Sequence, residues 1–228
     1  LVGSALVRRL QGEGCEIVAA PRDEVDLRRP DQVEGWMASA RPEAVFLAAA
    51  RVGGIYANDT RPADFIYDNL MIHGTVVHAA YQAGVKKLLY LGSSCISPRD
   101  ATQPITEEEL LTGPLEPTNE AYAIAKIAGL KLAQFYRKEH GVLFHSAMPT
   151  NLYGPGDNFH PLHSHVIPGM MRRFHEAKVK GSPFVKIWGT GTPRREFLHV
   201  DDLSAALVLL MERYDQPETI NVGSGIEV

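Results

Sequence analysis

Hydrophobic and polar positions follow two alternating patterns along the chain. Short continuous apolar runs predict buried parallel strands, and longer stretches with a helical repeat predict the helices between them. The predicted strands are residues 16–20, 44–50, 87–91, 143–148, 185–188 and 219–222. The predicted helices are residues 4–11, 31–40, 64–83, 120–140, 165–177 and 201–214. Gly84 is expected to end the third helix, and Asp201 or Asp202 to cap the last one.

Strands that alternate with helices indicate an α/β fold. We expect a Rossmann-like, doubly wound parallel sheet with helices on both faces. Two segments interrupt the alternation: residues 97–118 are rich in Pro, Thr and Glu, and residues 153–161 break regular structure. Both are expected to be loops.

Composition and charge exclude several function classes. The chain has 228 residues, of which 45% are hydrophobic and 22% charged, as in ordinary globular proteins. A net charge of -4 predicts no general attraction to nucleic acid or to an anionic membrane. No apolar run approaches the ~20 residues that span a bilayer.

Cysteine and histidine usage narrows the setting further. Cys15 and Cys95 are the only cysteines, which gives no disulfide framework and suits a reducing cytoplasm. His160, His163 and His165 are close in sequence but lack supporting carboxylates, so no metal site is predicted.

The candidate chemistry centres on Tyr122 and Lys126. Positions i and i+4 share one face of a helix, so the lysine ammonium is expected to lower the pKa of the phenol from about 10. Such a phenol can exchange a proton with a carbonyl or alcohol oxygen. Ser93 follows the strand 87–91, at the strand end where open α/β sheets bind ligands. Ser93 and Ser94 could instead simply begin a turn.

A strand-end serine followed by Tyr122-x-x-x-Lys126 resembles the extended, nucleotide-sugar-modifying branch of the short-chain dehydrogenase/reductase superfamily. The resemblance covers essentially the whole chain. It implies that Tyr122 donates a proton, that Ser93 polarises a carbonyl, and that Lys126 lowers the phenol pKa and binds the nicotinamide ribose. It also implies an NADP-binding Rossmann-like domain over residues 1–152 and part of a smaller substrate-binding region over 153–228, with some segments returning to the first domain.

The resemblance further implies how a dinucleotide is held. A doubly wound fold should open with a strand and a glycine-rich turn, whereas this sequence enters a helix directly after Leu1-Val-Gly-Ser4. We therefore expect that the first strand is missing and that Gly3 is the last glycine of that turn. Arg22 favours NADP over NAD, although Asp23 argues for NAD and the two could form a solvated turn pair. The remaining cofactor contacts implied are Ala48, Ala49, Asn151, Leu152 and His165.

Several strings narrow the resemblance to bifunctional 3,5-epimerase/4-reductases of GDP-4-keto-6-deoxymannose. The most specific are Gly92-Ser-Ser-Cys-Ile96, Asp157-Asn-Phe-His-Pro161 and Ser164-His-Val-Ile-Pro168. Epimerisation beside a ketone needs a base and an acid besides the reductase tyrosine. The resemblance implies that Cys95 and His165 fill these roles. Taken singly, Cys95 could be a small buried apolar residue and His165 a helix cap or surface group.

The diphosphate of a GDP-sugar requires cations, and two arginine pairs are candidates: Arg172-Arg173 and Arg194-Arg195. The resemblance implies that Arg173, Trp188 and Arg195 contact the substrate. It also implies a homodimer joined by helices 64–83 and 120–140. Ser97 and Gly156 depart from the subfamily pattern, in loops expected near the sugar.

Three alternatives stay open on the sequence. The chain could be another nucleotide-sugar 4-epimerase or reductase, for which Cys95 would not be needed. It could be a non-catalytic NADP-binding sensor, although an intact serine, tyrosine and lysine set argues against that. It could also be an inactive fragment of a working enzyme.

Overall fold

The computed structural model describes residues 1–187 and 189–228. Its helices are α1 (Val2–Leu10), α2 (Pro30–Ala40), α3 (Ile55–Thr60), α4 (Pro62–Gln82), α5 (Glu120–His140), α6 (Val166–Lys180) and α7 (Val200–Arg213). Its strands are β1 (Ala44–Leu47), β2 (Lys87–Leu91), β3 (Leu143–Pro149), β4 (Asn151–Tyr153), β5 (Phe197–His199) and β6 (Ile220–Val222). Single 3₁₀ turns occur at Ser94–Ile96, Glu107–Glu109 and Pro117–Asn119.

The main sheet has four strands in the order β1-β2-β3-β6, and every pair in it is parallel. A separate parallel pair joins β4 to β5. Parallel pairing places the carboxyl ends of β1, β2 and β3 along one edge of the sheet, and the ligand crevice of an open α/β sheet lies there.

Alternate residues of β2 face opposite sides of the sheet, as the pleat requires. Leu88 and Tyr90 pack into a core with residues of α4 and α5. Leu89 and Leu91 pack into a second core with residues of α1 and α7. All four side chains are at most 5% exposed. The apolar run of β2 therefore reflects burial on both faces, and the predicted Rossmann-like α/β class is confirmed.

Most helices and strands lie where the sequence predicts them. The bounds of β2 and α5 match the prediction, and Gly84 follows the end of α4 with a positive φ of 74°. β1 ends at Leu47, three residues earlier than expected. The short α3, β4 and β5 were not predicted. The division into two domains at residue 152 stays a prediction.

Two predicted strands and one predicted cap are wrong. Residues 16–20 are irregular, because a strand needs a paired neighbour and no described backbone hydrogen bond joins this segment to the sheet. Residues 185–187 are likewise irregular, and residue 188 lies outside the described residues. The N-cap of α7 is His199, whose side chain accepts from the backbone of Asp201 at 3.3 Å. The aspartates instead occupy the first turn of α7, where negative charge suits the helix dipole.

Over the described ranges, every helix is too short or too polar to qualify as a membrane-spanning segment.

Candidate active site

A cavity of about 2170 Å³ opens at the carboxyl ends of β1, β2 and β3. Thirteen of the predicted site residues line it: Gly3, Arg22, Ala48, Ala49, Ser93, Cys95, Tyr122, Lys126, Asn151, Leu152, His165, Arg173 and Arg195. The remaining predicted site residue, Trp188, lies outside the described residues. Residues far apart in the sequence therefore meet around one space.

Ser93 stands two residues beyond the end of β2. Its Oγ accepts a hydrogen bond from the backbone N–H of Cys95 at 3.4 Å and so caps the 3₁₀ turn Ser94–Ile96. Its hydroxyl also interacts with the phenol of Tyr122 and the thiol of Cys95, and it lowers the pKa of both groups. Ser93 therefore does begin a turn, and its role in polarising a carbonyl stays a prediction.

Lys126 is buried, with 3% of its surface exposed. Its Nζ donates a hydrogen bond of 2.7 Å to the carbonyl of Leu91, at the end of the strand that precedes Ser93. The same Nζ lies 5.9 Å from the ring centroid of Tyr122 and 5.1 Å from that of Tyr90. The ammonium is therefore held by one carbonyl and by the two aromatic faces.

Burial works against the expected depression of the phenol pKa. It raises the pKa of Tyr122, as does the nearby Cys95, while the hydrogen bond from Ser93 opposes the rise. Burial also lowers the pKa of Lys126 to about 7. The pKa of Tyr122 is thus raised overall, against the direction expected from the sequence, because the cost of burying charge dominates at both groups. That Lys126 favours the phenolate stays a prediction.

Cys95 interacts electrostatically with the phenol of Tyr122. Burial raises the pKa of its thiol, and four interactions oppose the rise: the hydrogen bond with Ser93, a backbone hydrogen bond, and the charges of Lys126 and Arg195. Cys95 therefore lies within electrostatic reach of both cations. It is not an isolated core cysteine, since it lines the cavity and is partly exposed.

A buried polar cluster behind Lys126 was missed by the sequence analysis. The Tyr90 hydroxyl lies 3.1 Å from Nδ1 of His73 and donates to the carbonyl of Lys126 at 3.2 Å. Nδ1 of His73 also lies 3.2 Å from the carbonyl of Ala125. This cluster ties α5, which carries Tyr122 and Lys126, to β2, which leads to Ser93. The only sequence signal was a tyrosine within an otherwise aliphatic strand.

Gly129 completes this contact between helix and strand. A Cβ on this residue would lie 2.5 Å from the Tyr90 hydroxyl and 2.7 Å from the ring carbon that bears it. These separations are closer than two non-bonded heavy atoms tolerate. The absence of a side chain on α5 is therefore what lets the phenol reach the helix backbone.

His165, Arg173 and Arg195 also line the cavity; His165 and Arg195 are exposed, and Arg173 is half-buried. His165 is the N-cap residue of α6, but its side chain makes no capping hydrogen bond. Arg173 lies two turns further along α6 and lines the cavity. Arg195 is exposed, and its backbone pairs with that of Val228 at 3.0 Å in both directions. Arg172 instead contacts Glu176 at 2.6 Å and the carbonyl of Phe159 at 2.9 Å.

The predicted cofactor residues form the rest of the lining. Gly3 lies in the first turn of α1, Ala48 and Ala49 follow β1, and Asn151 and Leu152 begin β4. Arg22 lines the cavity, and no ion pair between Arg22 and Asp23 is found in the part of the chain that the structure describes. Asn151 Nδ2 donates to the carbonyl of Glu196 at 3.0 Å, next to Arg195.

The neighbouring histidines pack on one another. The rings of His160 and His163 are stacked with centroids 4.3 Å apart. Within residues 1–187 and 189–228, no group of three or more His, Cys, Asp or Glu side chains is arranged to hold a metal ion.

A parallel Rossmann-like sheet with serine, tyrosine and lysine gathered at the ends of its strands defines the short-chain dehydrogenase/reductase type of site. The chain belongs to the NAD dependent epimerase/dehydratase family, which it matches over residues 1–223.

Named relatives and one solved structure agree with this assignment. The chain is 60% identical over 229 residues to GDP-L-fucose synthase 1 of Arabidopsis thaliana, covering 100% of this chain and 71% of that protein. It is 57% identical over 228 residues to GDP-L-fucose synthase of Sinorhizobium fredii, covering 100% and 73%. A GDP-L-fucose synthetase from Naegleria fowleri bound to NADP superposes with a TM-score of 0.89 at 34% identity, covering 98% of this chain and 74% of that one.

Proposed function

We propose that this protein converts GDP-4-keto-6-deoxy-D-mannose to GDP-L-fucose, by epimerisation at C3 and C5 and then reduction at C4 by NADPH. The observation that carries the proposal is the shared cavity. Cys95 and His165, which a simple reductase does not need, line the same cavity as Ser93, Tyr122 and Lys126. The names of the relatives at 57% and 60% identity support the same activity.

The residues present fit NADP(H). At one side of the cavity, Arg22 and the first turn of α1 with Gly3 offer a guanidinium and backbone N–H groups, the donors that phosphates require. Lys126, which lies beside Tyr122, and Asn151 and Leu152 line the same cavity. NADP is also the cofactor in the Naegleria fowleri structure.

Bound NADPH supplies the hydride for C4 of the sugar. The chain's own part in reduction is to polarise the ketone and to deliver a proton. The Ser93 hydroxyl donates to the C4 oxygen, and the Tyr122 hydroxyl gives that oxygen its proton. Burial keeps the phenol protonated until the oxygen gains charge, which suits a proton donor. Lys126, beside the ring, stabilises the phenolate that remains.

Epimerisation uses the same ketone. The carbonyl makes the hydrogens on C3 and C5 acidic. When a proton leaves C3 or C5, the carbonyl oxygen becomes negative, and the Ser93 and Tyr122 hydroxyls stabilise it. Cys95 as thiolate takes the proton from one face, and His165 returns a proton to the other. The charges of Lys126 and Arg195 favour the thiolate against the cost of burial.

Arg173 and Arg195 bind the diphosphate in this proposal. Both line the cavity, and a guanidinium pairs two-pronged with phosphate oxygens. Trp188, predicted to lie at the substrate, stays a prediction.

The test uses the full-length protein with GDP-4-keto-6-deoxy-D-mannose and NADPH. We expect the absorbance of the reduced nicotinamide to fall and NMR to identify GDP-L-fucose as the product. Protein that is folded and binds NADPH but leaves it unoxidised would contradict the proposal.

A second candidate is a nucleotide-sugar 4-reductase or 4-epimerase that does not use Cys95. The observation in its favour is that burial raises the pKa of the Cys95 thiol, which hinders a base. Deuterium uptake from D₂O into C3 and C5 distinguishes the two candidates, because only the 3,5-epimerase exchanges the hydrogens on both carbons.

A homodimer joined by α4 and α5 is part of the proposal. Four large apolar side chains on these helices are exposed: Tyr67 by 62%, Leu70 by 40%, Ile124 by 41% and Phe135 by 59%. A pair of helices with such a face suits a second copy of itself. Light scattering on the protein and on a Phe135→Glu variant tests this, and equal monomer masses would contradict it. A cytoplasmic location is proposed from the unpaired Cys15 and Cys95.

A further inference from the structure

The turn that presents His165 rests on the loop after β1. The backbone N–H of Gly54 donates to the carbonyl of His163 at 3.1 Å. The rings of Tyr56 and His163 lie 5.8 Å apart at an angle of 35°. These contacts join two segments of the chain. One follows the cofactor-side residues Ala48 and Ala49, and the other carries His165, the predicted acid.

Two buried asparagines hold this loop from inside the protein. Asn69, which has no exposed surface, accepts from the N–H of Arg51 at 2.8 Å and donates to its carbonyl at 3.0 Å. Asn58 donates to the carbonyls of Gly53 at 2.7 Å and Gly54 at 3.1 Å. Hydrogen bonds therefore hold the backbone on both sides of Val52, at Arg51 and at Gly53 and Gly54, which is the part of the loop that contacts the turn.

The contact between loop and turn leaves no room for a side chain at residue 54. A Cβ there would lie 2.6 Å from the backbone oxygen of Ser164 and 3.3 Å from its carbonyl carbon. On the opposite side, a Cβ on Gly169 would lie 2.8 Å from Oγ of Ser164. Ser164, the residue before His165, thus sits between two glycines that permit its close approach.

We propose that Gly54 is a positioning residue for epimerisation: it lets the Ser164 peptide rest on the 51–54 loop and so sets where the His165 imidazole stands relative to the sugar. The inference rests on the function proposed above and deepens it. Gly54 itself touches neither substrate nor proton. It acts through the turn.

The turn, rather than the loop, is expected to yield when this contact is crowded. The loop is held by four hydrogen bonds from Asn58 and Asn69. His165 is exposed, and its side chain makes no capping bond that would hold it in place. An added methyl group at residue 54 should therefore displace His165. Ala48 and Ala49 should keep their places, as should the catalytic set of Ser93, Tyr122 and Lys126. A misplacement of about 1 Å can cost on the order of 100-fold in rate.

The experiment compares Gly54→Ala with the wild-type full-length protein. Each is incubated with GDP-4-keto-6-deoxy-D-mannose in D₂O without NADPH, and deuterium at C3 and C5 is measured by NMR. NADPH affinity is measured separately by nicotinamide fluorescence. We expect deuterium uptake to fall on the order of 10- to 100-fold while the Kd for NADPH stays within about twofold. Gly35→Ala is the matched control, because Gly35 lies on α2, does not line the cavity, and a Cβ there meets nothing within 4 Å.

Each other outcome contradicts the proposal in an identifiable way. Unchanged uptake in Gly54→Ala would mean that the contact does not set the position of His165. Equal losses of uptake and NADPH affinity would mean that Gly54 acts through the cofactor-side loop. Absence of uptake in the wild-type protein would overturn the proposed epimerisation itself, and this inference with it.

A second variant covers the case in which Gly54→Ala does not fold. Asn58→Ala removes both hydrogen bonds to Gly53 and Gly54 without adding bulk at the contact. It should lower deuterium uptake by severalfold, again with NADPH affinity retained. Wild-type uptake in a folded Asn58→Ala protein would overturn the inference.

Discussion

The wall that carries Ser93, Tyr122 and Lys126 and the wall that carries His165 and Arg195 are held by different kinds of contact. The first is fixed by the core: Lys126 donates to the Leu91 carbonyl at 2.7 Å, and the fully buried Tyr90 ties α5 to β2. The second is built from exposed side chains on a turn and a loop, fixed through their backbones.

The difference matches what each wall has to do. Reduction needs one oxygen and one proton donor in a fixed relation, which a rigid sheet and helix supply. Epimerisation at two carbons needs an acid that serves C3 and C5 in turn, which an exposed side chain on a backbone-held turn can do. The core wall also strongly perturbs its ionisable groups by burial, as the pKa of about 7 for Lys126 illustrates.

The largest expected effect is that a change in the core wall lowers the rate of reduction far more than the rate of epimerisation. Tyr122→Phe removes the proton donor of the core wall, so reduction at C4 should fall on the order of 10²- to 10⁴-fold. Deuterium uptake at C3 and C5 should fall much less, because Cys95 and His165 remain. NADPH oxidation and NMR measure the two rates. Tyr67→Phe, which removes a phenol outside the cavity, is the control. Equal losses of both rates in Tyr122→Phe would show that the two walls do not serve separate reactions.

His165→Asn makes the converse test on the exposed wall. Deuterium uptake should fall on the order of 100-fold, since the group that returns the proton is gone. NADPH affinity and unfolding temperature should change little, because His165 is exposed. His175→Asn, further along α6 and outside the cavity, should behave as wild type. A large fall in unfolding temperature for His165→Asn would show that this wall is structural after all.

Arg195→Ala should act on binding more than on rate. Losing one charged hydrogen-bonding partner of the diphosphate costs about 1.5–3 kcal/mol, or on the order of 10- to 100-fold in KM for the GDP-sugar. The value of kcat should stay within severalfold. Its neighbour Arg194 does not line the cavity, so Arg194→Ala is the control. The roles of the two arginines would be reversed if only the control variant raised KM.

Tyr90→Phe tests the support of the core wall. It removes the hydroxyl that lies 3.1 Å from His73 and 3.2 Å from the Lys126 carbonyl, leaving buried polar groups without that partner. The free energy of unfolding should fall by about 1–3 kcal/mol, measured with urea. Tyr81→Phe removes a partly exposed phenol and should cost less. Equal losses of unfolding free energy in the two variants would show that the buried cluster contributes no more to stability than a partly exposed phenol does.

The smallest effect is a change in how stability depends on pH. Burial lowers the pKa of Lys126 from its usual 10.5 to about 7 in the folded protein. Between these values the unfolded chain binds more protons, so this lysine makes the unfolding free energy rise with pH over that window. Lys126→Met should flatten the rise, whereas Lys131→Met should not. Identical pH profiles for wild type and Lys126→Met would contradict the burial argument.

The sequence predicted α5 and β2 well because their signals are local. An apolar run followed by glycine, and a helical repeat that ends before Gly141, depend on nothing distant. Residues 16–20 carried an equally good strand pattern, yet strand formation depends on a paired neighbour that no local pattern supplies.

The same division applies to the site. Thirteen of the residues that line the cavity were predicted from the sequence. The direction of the Tyr122 pKa was not, since it depends on how much water the folded chain excludes from that phenol. The supports behind the site were also missed. Neither His73 nor Asn69 belongs to a recognisable motif, and their partners lie 52 and 18 residues away.

The close fit of Tyr90 against Gly129 has a consequence for how this chain can diverge. Because a Cβ at residue 129 would lie 2.5 Å from the Tyr90 hydroxyl, position 129 cannot gain a side chain while position 90 is a tyrosine. Descendants that gain a side chain at position 129 should already carry a smaller residue at position 90. The two sites should therefore change as a pair and in that order.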